Sequence, residues 1–399
     1  MANAERETAY DLVQFGATGF AGLLTAKYLA EHAPPSLRWA LAGRSLRRLE
    51  EVRDQLVKLA PDRPAPELIE VALSDQPALD ALAAKAKVIV TTVGPYAIHG
   101  QPLVAAAAKA GCDYVDITGE PQFVDDMYLK YHDEAVETGA RLVHCAGFDS
   151  VPHDLGALFT VRQLPDDQPI AVVGAVRANA EFSGGTFQSA VGGFAAFGEA
   201  QKLAKRRRER ERAEHPSEAR RARPVSGKPR RDESTGRWLA PLPTIDPAIV
   251  VRSAAALPEY GPDFTYEHTM SAKRLLTVAG LGVGAGALMV AVKIPPVRNL
   301  LKKAKAAGTG PDEARRERSW FTVRFTGKAG GKTVITEVRG GDPGYDETAK
   351  MLAESALSLA FDDNPETAGQ VTTAVAMGDA LLERLQRAGI TFTVVSPPA

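Results

Sequence analysis

Short apolar runs alternate with amphipathic stretches through the first part of the chain. Val13, Gln14 and Phe15 lead into a glycine turn, and an apolar-periodic segment follows to about Leu29. Residues 38–42 (RWALA), 67–73, 88–93 (VIVTTV), 114–118 (YVDIT) and 141–146 (RLVHCA) read as five more strands. Between them, Leu46, Leu49, Val52, Leu56 and Leu59 share one face of a helix over 46–59, and another helical pattern runs from Pro121 to about Thr138. An unbroken apolar run such as 88–93 suits a strand covered on both faces of a parallel sheet. Six strands alternating with helices predict an α/β fold with an N-terminal doubly wound parallel sheet.

The pattern then changes. Residues 171–180 and 182–190 alternate like antiparallel strands around Ser183, Gly184, Gly185 and Thr186. Residues 320–325 and 333–339 read as a hairpin around 327–331, followed by a turn at 342–345 and a helix over 347–361. A further helix over 380–388 and a strand over 390–395 close the chain. The expected division is a first domain over 1–150, a second α+β domain over 151–375 built on a largely antiparallel sheet, and a C-terminal helix and strand over 376–399. Helices of the second domain are expected to return to the first.

Two stretches stand apart. Residues 201–233, within a basic insertion at about 201–240, carry 13 Lys or Arg against 6 Asp or Glu and no apolar stripe beyond the first turn. They read as a polar helix passing into a mobile loop, a solvated face with capacity to dock something anionic. Residues 275–292 (LLTVAGLGVGAGALMVAV) are uncharged, glycine-rich and flanked by Lys273, Arg274 and Lys293. Eighteen residues lie at the short edge of a membrane span, so a buried or interfacial helix is the expectation. The pattern Gly282-Val283-Gly284 inside it mimics a nucleotide fingerprint without the strand that such a motif needs.

Composition narrows the class. The chain has 399 residues, 24% charged and 45% hydrophobic, with a net charge of −1. That is ordinary for a globular protein, and it leaves no overall field to attract nucleic acid. Two cysteines, Cys112 and Cys145, make no disulfide framework and suit a reducing compartment. The first ten residues hold no apolar run of the secretory kind.

The candidate chemistry starts at Gly16, Gly19 and Gly22, spaced G-x-x-G-x-x-G between a strand and a helix. The first permits the tight turn, the second lets backbone N–H groups approach a pyrophosphate, and the third lets the helix lie close on the sheet. Thr18 and Phe20 belong to the same loop. This spacing is typical of NADP-preferring dinucleotide folds. After the second strand an NAD site carries Asp or Glu for the ribose hydroxyls; here Arg44 and Ser45 stand there. A guanidinium at that place pairs with a 2′-phosphate and stacks on adenine, so the expected cofactor is NADP(H). Gly94, Pro95 and Tyr96 end the 88–93 strand at the expected ligand crevice, with His99 just beyond. Asp149 reads as a helix N-cap and Cys145 as a core thiol. No residue is assigned to a metal.

Taken together, GATGFAG at 16–22, AGRS at 42–45, GPY at 94–96, YVDITGE at 114–120, GFDSVPHDLG at 147–156, SGGTFQSA at 183–190 and DPGYDETAKM at 342–351 resemble the saccharopine dehydrogenase-like oxidoreductases, and more closely their trans-acting enoyl reductase branch. His153 departs from it, since the family more often has a small residue there. The resemblance implies a Rossmann NADP(H) domain and a role in polyketide-derived lipid or glycolipid assembly at the plasma membrane. Its substrate would be a lipid-like acyl group, free or carrier-bound, met in the cytoplasm or peripherally at the inner membrane face; a homodimer is left open.

On that footing the first expectation is conjugate reduction. Hydride goes to the β-carbon of an enoyl thioester, the enolate oxygen needs donors, and the α-carbon needs a proton. Tyr96 is a candidate donor or a cofactor-packing ring, and His99 a candidate acid. A second expectation is imine chemistry on an amino-acid adduct, with Arg177, Arg252 and Arg339 to hold carboxylates. The third is a nucleotide-binding, lipid-associated scaffold without turnover.

Overall fold

In a computed structural model of the chain, residues 8–179, 197–214, 220–280, 284, 291 and 311–395 are described. Six early strands lie in one parallel sheet: β1 (Tyr10–Phe15), β2 (Trp39–Gly43), β3 (Glu67–Glu70), β4 (Ala86–Thr91), β5 (Asp113–Asp116) and β6 (Arg141–Val143). Their order is β6-β5-β4-β1-β2-β3, and a seventh strand, Gly369–Val371, adds parallel beyond β6. The order reverses between β1 and β4, which opens a crevice at the carboxyl ends of those strands. Alternate residues of β1 explain the layering. Leu12 packs with Leu29, Val88 and Leu352 on one face, while Val13 and Phe15 pack with Leu79, Leu103 and Ala106 on the other. One cover of the first sheet therefore comes from the late helix Asp346–Phe361, as the return of helices predicted.

The second sheet holds β7 (Ile170–Asn179), β8 (Arg221–Val225), β9 (Arg230–Arg231), β10 (Trp238–Pro241), β11 (Asp263–Ala272), β12 (Trp320–Ala329), β13 (Lys332–Gly340) and β15 (Thr391–Val395), with β14 the strand Gly369–Val371 of the first sheet. Its order is β15-β13-β12-β7-β11-β10-β9, with β8 also on β11. The β7–β11 and β8–β11 pairs are parallel and the rest antiparallel, so the sheet is mixed but largely antiparallel. The helix Val151–Val161 lies against it. Gly156 makes that approach possible, because a Cβ there would come within 2.4 Å of Phe325 and 2.9 Å of Val338.

Three expectations meet this architecture differently. The strand over 171–180 forms, but its partners are β11 and β12; the expected companion at 182–190 lies outside the described residues. The basic stretch is not a helix running into a mobile loop. The helix Phe197–Glu214 packs on the helix Pro121–Thr138, with Arg207 only 4% exposed and its guanidinium 3.9 Å from the centre of the Tyr128 ring. Residues 220–241 then fold as β8, β9 and β10, where Arg223 pairs with Asp263 and Arg230 with Glu267. Arginine stems and ion pairs anchor these elements in place of the apolar stripe that the sequence lacks. Residues 275–280 begin a helix on which Leu275 and Leu276 are exposed, while most of 281–292 lies outside the described residues. Among the described residues no helix is long and apolar enough to cross a membrane.

Candidate active site

The glycine loop is built by steric necessity. Gly16 takes φ +87°, and a Cβ on it would meet Thr92 Oγ1 at 2.6 Å. A Cβ on Gly22 would stand 2.1 Å from the Gly16 carbonyl oxygen, so only glycine lets the helix Phe20–His32 start this close to the loop. Gln14, buried in β1, donates from Nε2 to the Gly22 carbonyl at 2.7 Å and fixes that approach. Gly19 differs. Its N–H donates to Gly16 O at 2.9 Å, and a Cβ on it would meet only that oxygen, at 3.4 Å. Its outer side is open, and the helix behind it has no side-chain cap. That leaves first-turn N–H groups facing the crevice, a place for a phosphate. The Phe20 ring is held edge-on by Tyr345, 4.7 Å away, with Arg316 over it at 5.6 Å. The DPGY turn thus covers the flank of the loop.

Arg44 is exposed beyond the end of β2, and among the described residues it has no ion pair or hydrogen bond. Ser45 precedes the helix Leu46–Leu59 and its hydroxyl does not cap it. One turn later Arg48 donates to the Thr18 carbonyl at 3.4 Å and so reaches the glycine loop. Sequence reasoning missed Arg48, although its spacing of four from Arg44 on a helix start was the available signal. Backbone N–H groups, an open helix start and two guanidiniums form a donor set that fits a dinucleotide with an extra phosphate.

At the other end of the crevice, Gly94 and Pro95 join through a cis peptide and lead into the one-turn helix Tyr96–His99. Glu120 holds this turn, accepting from the N–H groups of Tyr96 at 2.9 Å and Ala97 at 3.0 Å. Tyr96 is buried. Its hydroxyl donates to Thr91 O at 3.1 Å and accepts from the Ile117 N–H at 3.4 Å, and burial pushes its pKa well up. Its proton is spent inside the fold, so the ring shapes the crevice floor. His99 is exposed at the far end of the same turn. Asp116 ties β5 to β6, accepting from Tyr114 Oη, Thr118 N–H, Cys145 N–H and lying 2.7 Å from His144 Nδ1. The roles of Asp116 and Glu120 sat in the YVDITGE motif but were not legible there, because their partners lie on other strands.

Beyond β6 the GFDSVPHDLG segment forms the joint with the second sheet. Cys145 and Ser150 take φ of 63° and 130°, values costly for residues with a Cβ. The Cys145 thiol is buried and its pKa is raised by burial, as expected of a core thiol. Asp149 is not the cap of the following helix. Ser150 holds the N-cap position and makes no side-chain cap bond. The Asp149 carboxyl turns toward Gly119 instead, and burial with the charge of Asp246 raises its pKa to about 7. Asp154 accepts from Thr373 Oγ1 and the Ala374 N–H, both at 2.8 Å, and burial raises it to about 6.

Next to this joint the fold assembles a cluster that sequence reasoning did not find. His153, Asp246 and His268, all buried, converge from three elements. Burial lowers the pKa of His153, and that of His268 to about 4, so both rings are neutral. Burial alone would raise Asp246, but the two histidines and the hydroxyls of Thr244 and Ser150 outweigh it and keep it ionised. The three arginines weighed for carboxylate binding do not form one pocket. Arg252 is bound to Asp125, while Arg177 and Arg339 flank Thr322 on the sheet face opposite the helix Val151–Val161. There Arg177 lies over the Trp320 ring and Arg339 pairs with Glu337.

A strand–glycine loop–helix cradle opening on a doubly wound sheet, with a second sheet closing the crevice, defines an NAD(P)-dependent oxidoreductase of the saccharopine dehydrogenase type. Residues 12–143 match the model of the saccharopine dehydrogenase NADP binding domain. A trans-acting enoyl reductase of Mycobacterium ulcerans is 37% identical over 98% of both chains, and one of Mycobacterium bovis is 38% identical over 98% of both. Apo saccharopine dehydrogenase (L-Glu forming) of Saccharomyces cerevisiae covers 97% of this chain and all of its own, with a TM-score of 0.54 at 13% identity, which is a likeness of fold. The chain belongs to the trans-acting enoyl reductase family of saccharopine dehydrogenase-like proteins.

Proposed function

We propose that this protein is an NADPH-dependent reductase of enoyl thioesters. The observation that carries the cofactor half is Arg44, unpaired and exposed where the ribose phosphate falls, with Arg48 one turn behind it. The substrate half rests on the near-full-length likeness to trans-acting enoyl reductases. When bound, the cofactor supplies a hydride for the β-carbon of the acyl chain. The chain's own part is to orient and to exclude water. The glycine loop and helix start hold the phosphates, the Glu120-braced turn at Gly94 to Tyr96 forms the floor, and the joint at Gly147 to Ser150 forms the wall toward the second sheet. A solvent-derived proton completes reduction at the α-carbon. The dispersed placement of Arg177, Arg252 and Arg339 favours this reading over amino-acid adducts, whose carboxylates need converging cations. A lipid-like acyl group and a station at a membrane face belong to the same proposal, supported by the exposed Leu275 and Leu276 beside Lys273 and Arg274. The test is incubation with NADPH and a series of 2-enoyl pantetheine thioesters. Loss of NADPH absorbance with product two hydrogens heavier is expected. Inertness toward every thioester, with turnover of an amine and a 2-oxo acid, refutes it.

A further inference from the structure

We propose that His153, Asp246 and His268 form a binding site for one divalent cation of the zinc class, held by the Nε2 atoms of both histidines and the carboxylate of Asp246. The distances argue for a shared cation over direct hydrogen bonds. His153 Nε2 lies 3.7 Å from Asp246 Oδ1, and His268 Nε2 lies 3.4 Å from Asp246 Oδ2. Both exceed the 2.7–3.2 Å of a protein hydrogen bond. Ligands at about 2.0–2.1 Å from a tetrahedral metal stand roughly 3.3 Å from one another, which is close to what is found. One donor atom from each of the three residues can be chosen so that all lie within 4.8 Å of one another. The imidazoles stand at 90°, centroids 4.8 Å apart, so that neither ring blocks the space between them.

The surroundings are those of a metal centre. Ser150 Oγ donates to Asp246 Oδ1 at 3.2 Å, and the Thr244 hydroxyl donates to Oδ2, which orients the carboxylate. Tyr266 Oη lies 3.2 Å from His268 Nδ1, so a proton on Nδ1 has an acceptor and Nε2 is left as the ligand atom. His268 Nε2 itself has no hydrogen-bond partner among the described residues. Among those residues the ion-pair neighbours of Asp246 are the two histidines, so a carboxylate is withdrawn from water beside rings that carry no charge to balance it. A divalent cation would supply that balance. Two nitrogen donors and one carboxylate select zinc and its neighbours over magnesium or calcium, which take oxygen shells. His153 sits on the first turn of the helix Val151–Val161, Asp246 begins the helix Asp246–Ala256, and His268 is on β11. The cation would clamp these three elements and so hold the strained Ser150 and the crevice wall in place. This inference is independent of the thioester reading.

The test uses the full chain without an affinity tag, stripped by chelator and incubated overnight with cobalt(II) as the probe. Uptake of one equivalent with the visible absorption of a low-symmetry nitrogen–oxygen site is expected, displaced by zinc with a rise in Tm. His268→Gln and His153→Gln should abolish uptake, with circular dichroism and NADPH binding confirming the fold. Tyr266→Phe, which keeps every ligand, should weaken affinity about 10- to 100-fold. The proposal is overturned if the unmutated protein takes up no stoichiometric cobalt, or if the folded histidine variants take up as much, since exposed histidines would then hold it.

Discussion

The glycine loop and the His153–Asp246–His268 cluster lie at the same edge of the first sheet but are built by different means. The loop is local and made of backbone. Its donors are N–H groups, and Gly16, Gly19 and Gly22 follow one another within seven residues. The cluster is made of side chains from positions more than ninety residues apart, joined only when helices and β11 meet. A backbone site is specified where steric space runs out, so it announces itself through glycine. A side-chain site of this kind announces itself only through burial.

The comparison breaks most sharply at Gly22. A Cβ there meets backbone at 2.1 Å, which nothing nearby can yield to. Gly22→Val should cost about 3 kcal/mol or more of stability and abolish NADPH binding with it, measured by thermal melting and calorimetry. Gly19→Val is the contrast within the same loop. Its φ of −90° suits any residue and its outer side is open, so the melting temperature should hold while NADPH affinity falls at least about 100-fold by exclusion of the pyrophosphate. If both variants melt alike, the distinction between a folding glycine and a binding glycine is wrong.

Arg44→Asp sharpens the ligand side of the comparison. It removes a charge-assisted contact and adds repulsion, for a loss of roughly 2–4 kcal/mol in NADPH binding and little change with NADH. Equal affinity of the unmutated protein for both nucleotides would sink the assignment. The smallest effect is expected at Asp11, a charge at the far end of β1 from the loop. Burial alone would raise this carboxyl, but Arg38 and Lys87 outweigh it and hold it below its ordinary 3.8. A carboxyl held low in the folded chain stabilises above the unfolded pKa and loses that contribution as pH falls through the folded value. Asp11→Asn should therefore cost about 1 kcal/mol at neutral pH, since Arg38 is half exposed, and the gap to the unmutated protein should close below about pH 4.

Much of the first sheet was legible, because a parallel sheet covered on both faces needs unbroken apolar runs, and 88–93 is such a run. Its seventh strand was not. Residues 369–371 (GQV) carry no periodicity and become a strand only by adding to β6. The basic segment misled for the opposite reason. A stretch rich in arginine reads as solvated, but Arg207 finds Tyr128, Asp125 and Gln370 to pack and bond with, and the partners are distant in sequence. Tyr96 was placed correctly at the crevice, and its hydroxyl proved to be committed to Thr91.

Sequence alone determined the strand–loop–helix opening, the doubly wound order of elements and the cationic end of β2, since each rests on spacing within a few residues and on the shape of the backbone. Tertiary structure decided the rest. It set the pairing of β7 with β11 and β12, the spending of the Tyr96 proton, the bracing of the crevice by Asp116 and Glu120, and the meeting of His153 with Asp246 and His268. Those depend on which side chains are withdrawn from water together, and desolvation is a property of the packed chain that no local pattern carries.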